Sequence, residues 1–363
     1  MFFCRLLRAM ASVNHFSKPT IGTHNGKFHA DELVACAMLR QLPEYNKAKI
    51  VRTRDASQLA TCTTVVDVGG LFDPNTHRFD HHQRGFELTF KDFFKESNWD
   101  IKLSSAGLIY VHYGHRVIAG VTDVQESDPM VSVLFQKIYS AFVVEIDAID
   151  NGVAISDNET RYSINTGLSS RVARLNPKWN DPDADETACF MKALQMVEEE
   201  FVTLVAHYAK SWYPARALVS KALSQRHQVD PSGHIISLED EPCPWADHFH
   251  ELEKLELEKL PNGNFDVSDL SATTSRPVFC LYRRDDGQWS VQTISTSEKE
   301  HFKSRVPLPE AWRGLRDEEL SRVVGLPGCV FVHATGFLGI HKTRDGALYM
   351  ARTSLKLANL IDV

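Results

Sequence analysis

The stretch HRFDHHQRG, residues 77–85, sets Asp80, His81, His82 and Arg84 within five positions. Imidazole is a neutral nitrogen ligand or a proton carrier near neutral pH, and carboxylate is a hard oxygen ligand. Three other segments bring the same chemistry. GTHNGKFHADE supplies His24, His29 and Asp31, VVDVGG supplies Asp67, and EIDAIDNG supplies Asp150 with Asp147 one helical turn earlier. Carboxylates that converge without cations repel one another and their pKa values rise. Two divalent ions remove that cost. Mixed His and Asp ligation without Cys suits manganese or magnesium better than structural zinc. Two such ions, about 3.5–4 Å apart, clamp the attacking and leaving oxygens of a phosphodiester and lower the pKa of a bound water. DHH alone is a weak tripeptide, and an isolated D-x-G after a strand is usually a turn. The joint occurrence of all four segments, in order and at the ends of elements, is what points to a metal site.

The elements that must position these residues are short. TIGTH, AKIVRT and TTVVDVGG read as strands, and ADELVACAMLRQL reads as a helix stopped by Pro43. Apolar β-branched runs linked by helices predict a mainly parallel sheet in an α/β fold. Loops at the carboxyl ends of such strands are where ligands bind. SSAGLIYVHYGHRVIAGV reads as a helix whose serines cap its start, and MVSVLFQKIYSAFVVEIDAID as a longer one stopped by Asn151-Gly152. Residues 186–227 read as a helical connector interrupted at Pro214. Beyond it, RPVFCLYRRDDGQWSVQTIS is a hairpin turning at Asp286-Gly287. GCVFVHATGFLGIHKTRDGALYMARTSLKLA then reads strand, glycine-containing loop, helix. The second half is therefore α+β, with residues 234–272 as a peripheral insertion.

Composition excludes some classes. The chain has 363 residues, 43% of them hydrophobic, and a net charge of −7, which argues against coating nucleic acid by bulk charge. Its seven cysteines are odd in number, widely spaced and free of any CxxC pair, so a disulfide framework or thiolate zinc site is not expected. No uninterrupted apolar run approaches the length of a membrane span, and no membrane partner is expected. The first 18 residues carry Arg5, Arg8 and Lys18 among Phe2, Phe3, Leu6, Leu7 and Met10, and no acid precedes Asp31. That is the signature of a mitochondrial transit peptide, which places the protein in the matrix.

On GTHNGKFHADE, VVDVGG, HRFDHHQR, KLSSAGLIY, LSSRVARLNPKWN, PLPEAWRGLRDEEL and HATGFLGIHKTRDGA, the chain resembles the DHH phosphoesterase superfamily. That superfamily includes RecJ-like exonucleases, oligoribonucleases and class II pyrophosphatases. More closely, the chain is similar to the melanocyte proliferating gene product family of metal-dependent exonucleases. The resemblance implies a DHH domain over 19–185, a connector over 186–227 and a smaller substrate domain over 228–363, with the active site in the cleft. It implies metal ligation by His24, His29, Asp31, Asp67, Asp80, His81 and Asp150. It also implies catalytic roles for Asp80, His81 and His82, one of the two adjacent histidines binding metal and the other contacting the scissile phosphate. The usual first motif is His-x3-Asp-x-Asp, whereas here it reads His24-x4-His29-x-Asp31, with imidazole in place of the first carboxylate. Manganese is therefore the preferred ion and magnesium the second choice.

For substrate, the expected contacts are His82, Arg171, Arg174, Gly336, Gly339, His341 and Lys342, because arginine suits bidentate phosphate contact and the glycines stand where the superfamily has a glycine-rich loop. Trp179 and Phe337 could stack bases. The implied activity is 3′→5′ hydrolysis of single-stranded RNA to nucleoside monophosphates, with a nuclear or nucleolar pool beside the mitochondrial one and a homodimer left open. Two rival readings are hydrolysis of a small phosphoanhydride or cyclic dinucleotide, and non-catalytic metal-dependent nucleic-acid binding.

Overall fold

A computed structural model describes residues 18–239, 242–258, 275–298, 300 and 303–362. The expected targeting segment thus lies outside the described residues, apart from Lys18. The chain divides into two compact units, 1–209 and 210–363.

The first unit runs β1 (Thr20–Thr23), α1 (Ala30–Arg40), β2 (Lys49–Arg52), α2 (Ala56–Ala60), β3 (Thr64–Val66), β4 (Phe72–Asp73), β5 (Arg78–Phe79), α3 (Phe90–Phe93), α4 (Ser105–Thr122), α5 (Pro129–Ile138), α6 (Val144–Asp150), α7 (Leu168–Ala173) and α8 (Glu186–His207). Its sheet has the order β2-β1-β3-β5-β4, parallel except for the antiparallel edge strand β4. This is the mainly parallel, helix-flanked sheet that the β-branched runs predict. Because β2 and β3 pair with opposite sides of β1, the order reverses there. His24 and Asp67 follow directly on β1 and β3, at that switch point.

Every residue of α1 from Ala30 to Leu39 is buried, as expected of a helix packed on several sides, here by α4, α6 and α8. Burying each of Leu33, Val34, Met38 and Leu39 contributes roughly 1.5–3 kcal/mol. The stretch Pro129–Asp150 is long and apolar enough to cross a membrane by length and composition alone. Here it lies along α4, with Val131, Leu134, Phe135, Ile138 and Tyr139 fully buried. A π-helical turn, Tyr139–Val143, joins α5 to α6.

The second unit contains α9 (Ala215–Ser224), α10 (Arg226–Val229), β6 (Ile235–Leu238), α11 (Ala246–Leu257), β7 (Phe279–Arg283), β8 (Trp289–Thr293), α12 (Asp317–Val324), β9 (Cys329–Val332), β10 (Leu338–His341) and α13 (Arg344–Leu357). Its sheet order is β6-β7-β8-β10-β9, antiparallel except for β6 with β7. The β7–β8 hairpin turns at Asp286-Gly287 as expected, with Gly287 at φ +81°. Three sequence expectations need correction. The stretch 186–227 is divided between the units, since α8 packs on α1 and α4 while α9 joins Trp245 and Phe249 in the second core. The stretch 234–272 is not peripheral in its first half, because β6 is buried throughout and α11 packs on α9; residues 259–274 lie outside the described residues. The glycine-containing loop after β9 is shorter than predicted, because Leu338–His341 continue the sheet as β10.

Candidate metal centre

Three backbone devices aim the side chains. Asp67 leaves β3 in the left-handed region at φ +57°, an uncommon conformation for a residue with a Cβ and one that clusters at functional sites. Its N–H still donates to the Phe79 carbonyl, so the carboxylate swings over the sheet edge while the ladder holds. His29 caps α1, and its N–H donates to Glu32 Oε1 at 2.9 Å. Asp31 Oδ1 and Oδ2 accept the N–H groups of Ala106 and Ser105 at 2.5 and 3.1 Å, so this carboxylate caps α4. The expected serine capping of α4 is therefore replaced. Ser104 instead donates its N–H and hydroxyl to Asp147 Oδ1 at 2.9 and 2.8 Å.

The ring nitrogens and carboxylates converge in two groups that share Asp67. His24 Nε2 stands 3.0 Å from Glu32 Oε1 and 3.4 Å from Asp67 Oδ2. His81 Nε2 stands 3.0 Å from Asp150 Oδ2, 3.5 Å from Asp67 Oδ1 and 3.9 Å from Asp31 Oδ2. His24 Nδ1 donates to the Asn25 carbonyl at 3.1 Å, the second-site bond that orients a ligating histidine and frees Nε2. Asp67 Oδ1 and both ring nitrogens of His81 are buried and make no hydrogen bond of acceptable geometry among the described residues. Buried polar atoms left in that condition cost free energy unless something coordinates them. The residues therefore fit divalent cations. His24, His29, Glu32 and Asp67 form one group able to hold an ion; Asp31, His81 and Asp150 form another, with Asp67, His81 and His82 between them.

Electrostatics agree. Burial works against it, yet Asp67 and Glu32 raise the His24 pKa to about 10. Burial is likewise overcome at His81, which Asp150 and Asp67 raise to about 10. Burial, then Asp67 and Asp150, push the Asp31 carboxyl well above its ordinary range. Asp67 is lowered despite burial, because the imidazoles of His24 and His81 face it. The cluster demands positive charge and, metal-free, takes it as protons on the imidazoles.

Asp80 does something different from the ligation expected of it. Its Oδ2 accepts the Gly70 N–H at 2.5 Å, and its Oδ1 accepts the N–H and Nδ1–H of His82 at 3.1 and 2.8 Å. It orients His82, whose side chain is 62% exposed and whose Nε2 is thereby free to face a ligand. Asp147 is fully buried, accepts Tyr139 Oη–H at 2.9 Å, and serves the helix interface, whereas Asp150 Oδ2 lies 3.0 Å from His81 Nε2. Sequence reasoning missed Glu32 and Arg54. Glu32, in the first turn of α1, is fully buried and turned to His24, a direction that its spacing in the sequence does not show. Arg54 lines the same open pocket of about 800 Å³ as His24, His29, Asp31, Asp67, Asp80, His82 and Asp150.

The expected substrate contacts are placed less centrally. Ser169, Ser170 and Ala173 line the pocket, whereas Arg171 pairs with Glu200 and Arg174 donates to the Asn165 carbonyl. In the second unit, His341 is 3% exposed, with Nδ1 accepting the Thr343 N–H at 3.0 Å and Nε2 donating to the Pro327 carbonyl at 3.0 Å. It is a structural histidine that requires Gly346, where a Cβ would lie 1.9 Å from its ring. Gly336, at φ +76°, packs under Arg313 and the Leu308 carbonyl, and Gly339 lies in β10 against Leu308. Lys342 is exposed, Trp179 is 96% exposed, and Phe337 packs edge-on against His333.

Comparison with known proteins adds the family. A family model described as MYG1_exonuc, Uncharacterised protein family (UPF0160), matches residues 20–355. The MYG1 exonuclease of Homo sapiens is 52% identical over 338 residues, covering 93% of this chain and 86% of that protein. That of Bos taurus is 51% identical over 338 residues, covering 93% and 84%. MYG1 protein C27H6.8 of Caenorhabditis elegans is 44% identical over 338 residues, covering 93% and 95%. No solved structure matches. The match over nearly the whole described chain, at such identities, settles the kinship: the chain belongs to the MYG1_exonuc family.

Proposed function

We propose that this protein is a metal-dependent phosphodiester hydrolase, a 3′→5′ exonuclease that releases nucleoside monophosphates from single-stranded RNA. The observation that carries the hydrolase reading is Asp67, whose two oxygens face histidines of two different ligand groups, Oδ2 toward His24 and Oδ1 toward His81. A carboxylate so placed would serve both ligand groups if divalent ions were bound there. The named exonuclease relatives support a nuclease. RNA as substrate and the direction of degradation follow from the family resemblance.

Two divalent ions at this site supply an activated water and neutralise charge on the phosphate. The chain's own residues do the rest. The N–H groups of Ser105 and Ala106 hold Asp31 in place, and Asn25 holds the His24 ring. Asp80 fixes His82 so that Nε2 can donate to a phosphate oxygen. Arg54 is the arginine on the pocket wall and suits a bidentate phosphate contact. Manganese is the proposed ion, because mixed imidazole and carboxylate ligation suits it better than magnesium.

Turnover on a panel separates the rivals. Short single-stranded RNAs blocked at the 3′ or the 5′ end, pyrophosphate and a cyclic dinucleotide are supplied with Mn2+. Monophosphate release from the 5′-blocked RNA alone supports the proposal. Faster hydrolysis of pyrophosphate or the cyclic dinucleotide would replace it with the small-molecule reading.

A further inference from the structure

We infer that Glu32 is a metal ligand, supplying from the next turn of α1 the carboxylate that position 29 lacks. This rests on the metal-dependent reading above. The side chain is fully buried, and its Oε1 lies 3.0 Å from His24 Nε2. Two donor atoms bound to one ion at about 2.1 Å stand about 3.0 Å apart at a right angle and about 3.4 Å apart at the tetrahedral angle. The His24–Glu32 and His24–Asp67 separations, 3.0 and 3.4 Å, match those two values. Asp67 is itself 95% buried, being 5% exposed, and turns Oδ2 into the same space. His29 remains within reach of it, its ring centroid 5.9 Å from that of His24.

The competing role is a helix cap, since Glu32 also accepts the His29 N–H at 2.9 and 3.1 Å. A cap, however, asks only for one acceptor oxygen, which glutamine also offers. It does not explain a buried carboxyl group set 3.0 Å from a histidine whose other nitrogen is already fixed by Asn25. The first group then offers His24, Glu32, Asp67 and His29. The second offers Asp31, His81 and Asp150, with Asp67 Oδ1 3.5 Å from His81 Nε2. Asp67 would offer Oδ2 to the first group and Oδ1 to the second.

Substituting Glu32→Gln separates the roles, because glutamine keeps an acceptor for the His29 N–H and loses the charge. Full-length wild type and variant are titrated with Mn2+, following free ion by electron paramagnetic resonance and folding by circular dichroism. The expected result is two bound ions per wild-type chain and one per folded Glu32→Gln chain, or a second ion weakened at least tenfold. Two ions at wild-type affinity in the variant would overturn the role of Glu32 and leave the metal centre standing. No bound ion in wild type would overturn both. If the variant does not fold, anomalous diffraction from Mn2+-soaked wild type decides the matter. A peak about 2.0–2.3 Å from a Glu32 oxygen supports ligation, and one bound by His24 and Asp67 without Glu32 excludes it.

Discussion

Each side chain at the site is defined by what its second atom does. His24 and His82 each give one ring nitrogen to a fixed acceptor, Asn25 and Asp80 respectively, and keep the other. Asp80→Asn should therefore leave metal content intact and lower turnover by about 10–100-fold, the usual effect of losing a partner that orients a functional imidazole. Steady-state kinetics with metal analysis checks this, and loss of an ion would return Asp80 to the ligand set. His29 is exposed and caps α1 while its ring stays near His24. Replacing it by Asp exchanges an imidazole for a hard oxygen. His29→Asp should narrow the advantage of Mn2+ over Mg2+ in turnover; an unchanged ratio would mean that His29 does not touch an ion.

The elements decide which acids reach the site. The sequence made β1, β2, β3, α1 and the Pro129–Asp150 helix legible, because their apolar spacing is strong and Pro43 and Asn151-Gly152 end them. It also pointed to His24, Asp31, Asp67, His81 and Asp150, which the fold brings together. What it could not show was side-chain direction. Glu32 carried no signal of its own, Arg171 was expected on substrate although Glu200 pairs with it, and His341 was expected on substrate although the backbone takes both its nitrogens. The π-helical turn before α6 is equally invisible in spacing. Asp147 sits just beyond it, buried against Ser104 and Tyr139. Burial, offset by those donors, raises its carboxyl to about 7. The unfolded value is about 3.9, so between about pH 4 and 7 the folded chain keeps a proton that the unfolded chain has released. Stability from this group is complete below about pH 4 and is lost as pH rises through 7. Asp147→Asn should flatten that dependence. Urea denaturation of metal-free protein at pH 5 and pH 8 measures it, and an unchanged difference between wild type and variant would place the titration elsewhere.

At the scale of the whole molecule, the pocket belongs to the first unit, and every residue lining it lies between His24 and Ala173. The second unit contributes a separate, mainly antiparallel sheet, and the resemblance gives it the task of holding substrate. The transit-peptide reading of the N-terminal segment has its own test. Residues 1–20 fused to a fluorescent reporter should carry it to mitochondria, and substitution of Arg5 and Arg8 by Glu should abolish import; a cytosolic reporter would refute the transit-peptide reading. Asp67 stands in both ligand groups, near His24 and near His81, which makes it the most direct probe of the proposed metal centre. The decisive measurement is monophosphate release from a short single-stranded RNA by metal-stripped protein, wild type and Asp67→Asn, before and after adding Mn2+. The account predicts restored turnover in wild type only, with the folded variant slower by roughly a thousandfold or more, about 4 kcal/mol in activation free energy. Turnover by the stripped wild type, or by Asp67→Asn at the wild-type rate, would contradict it.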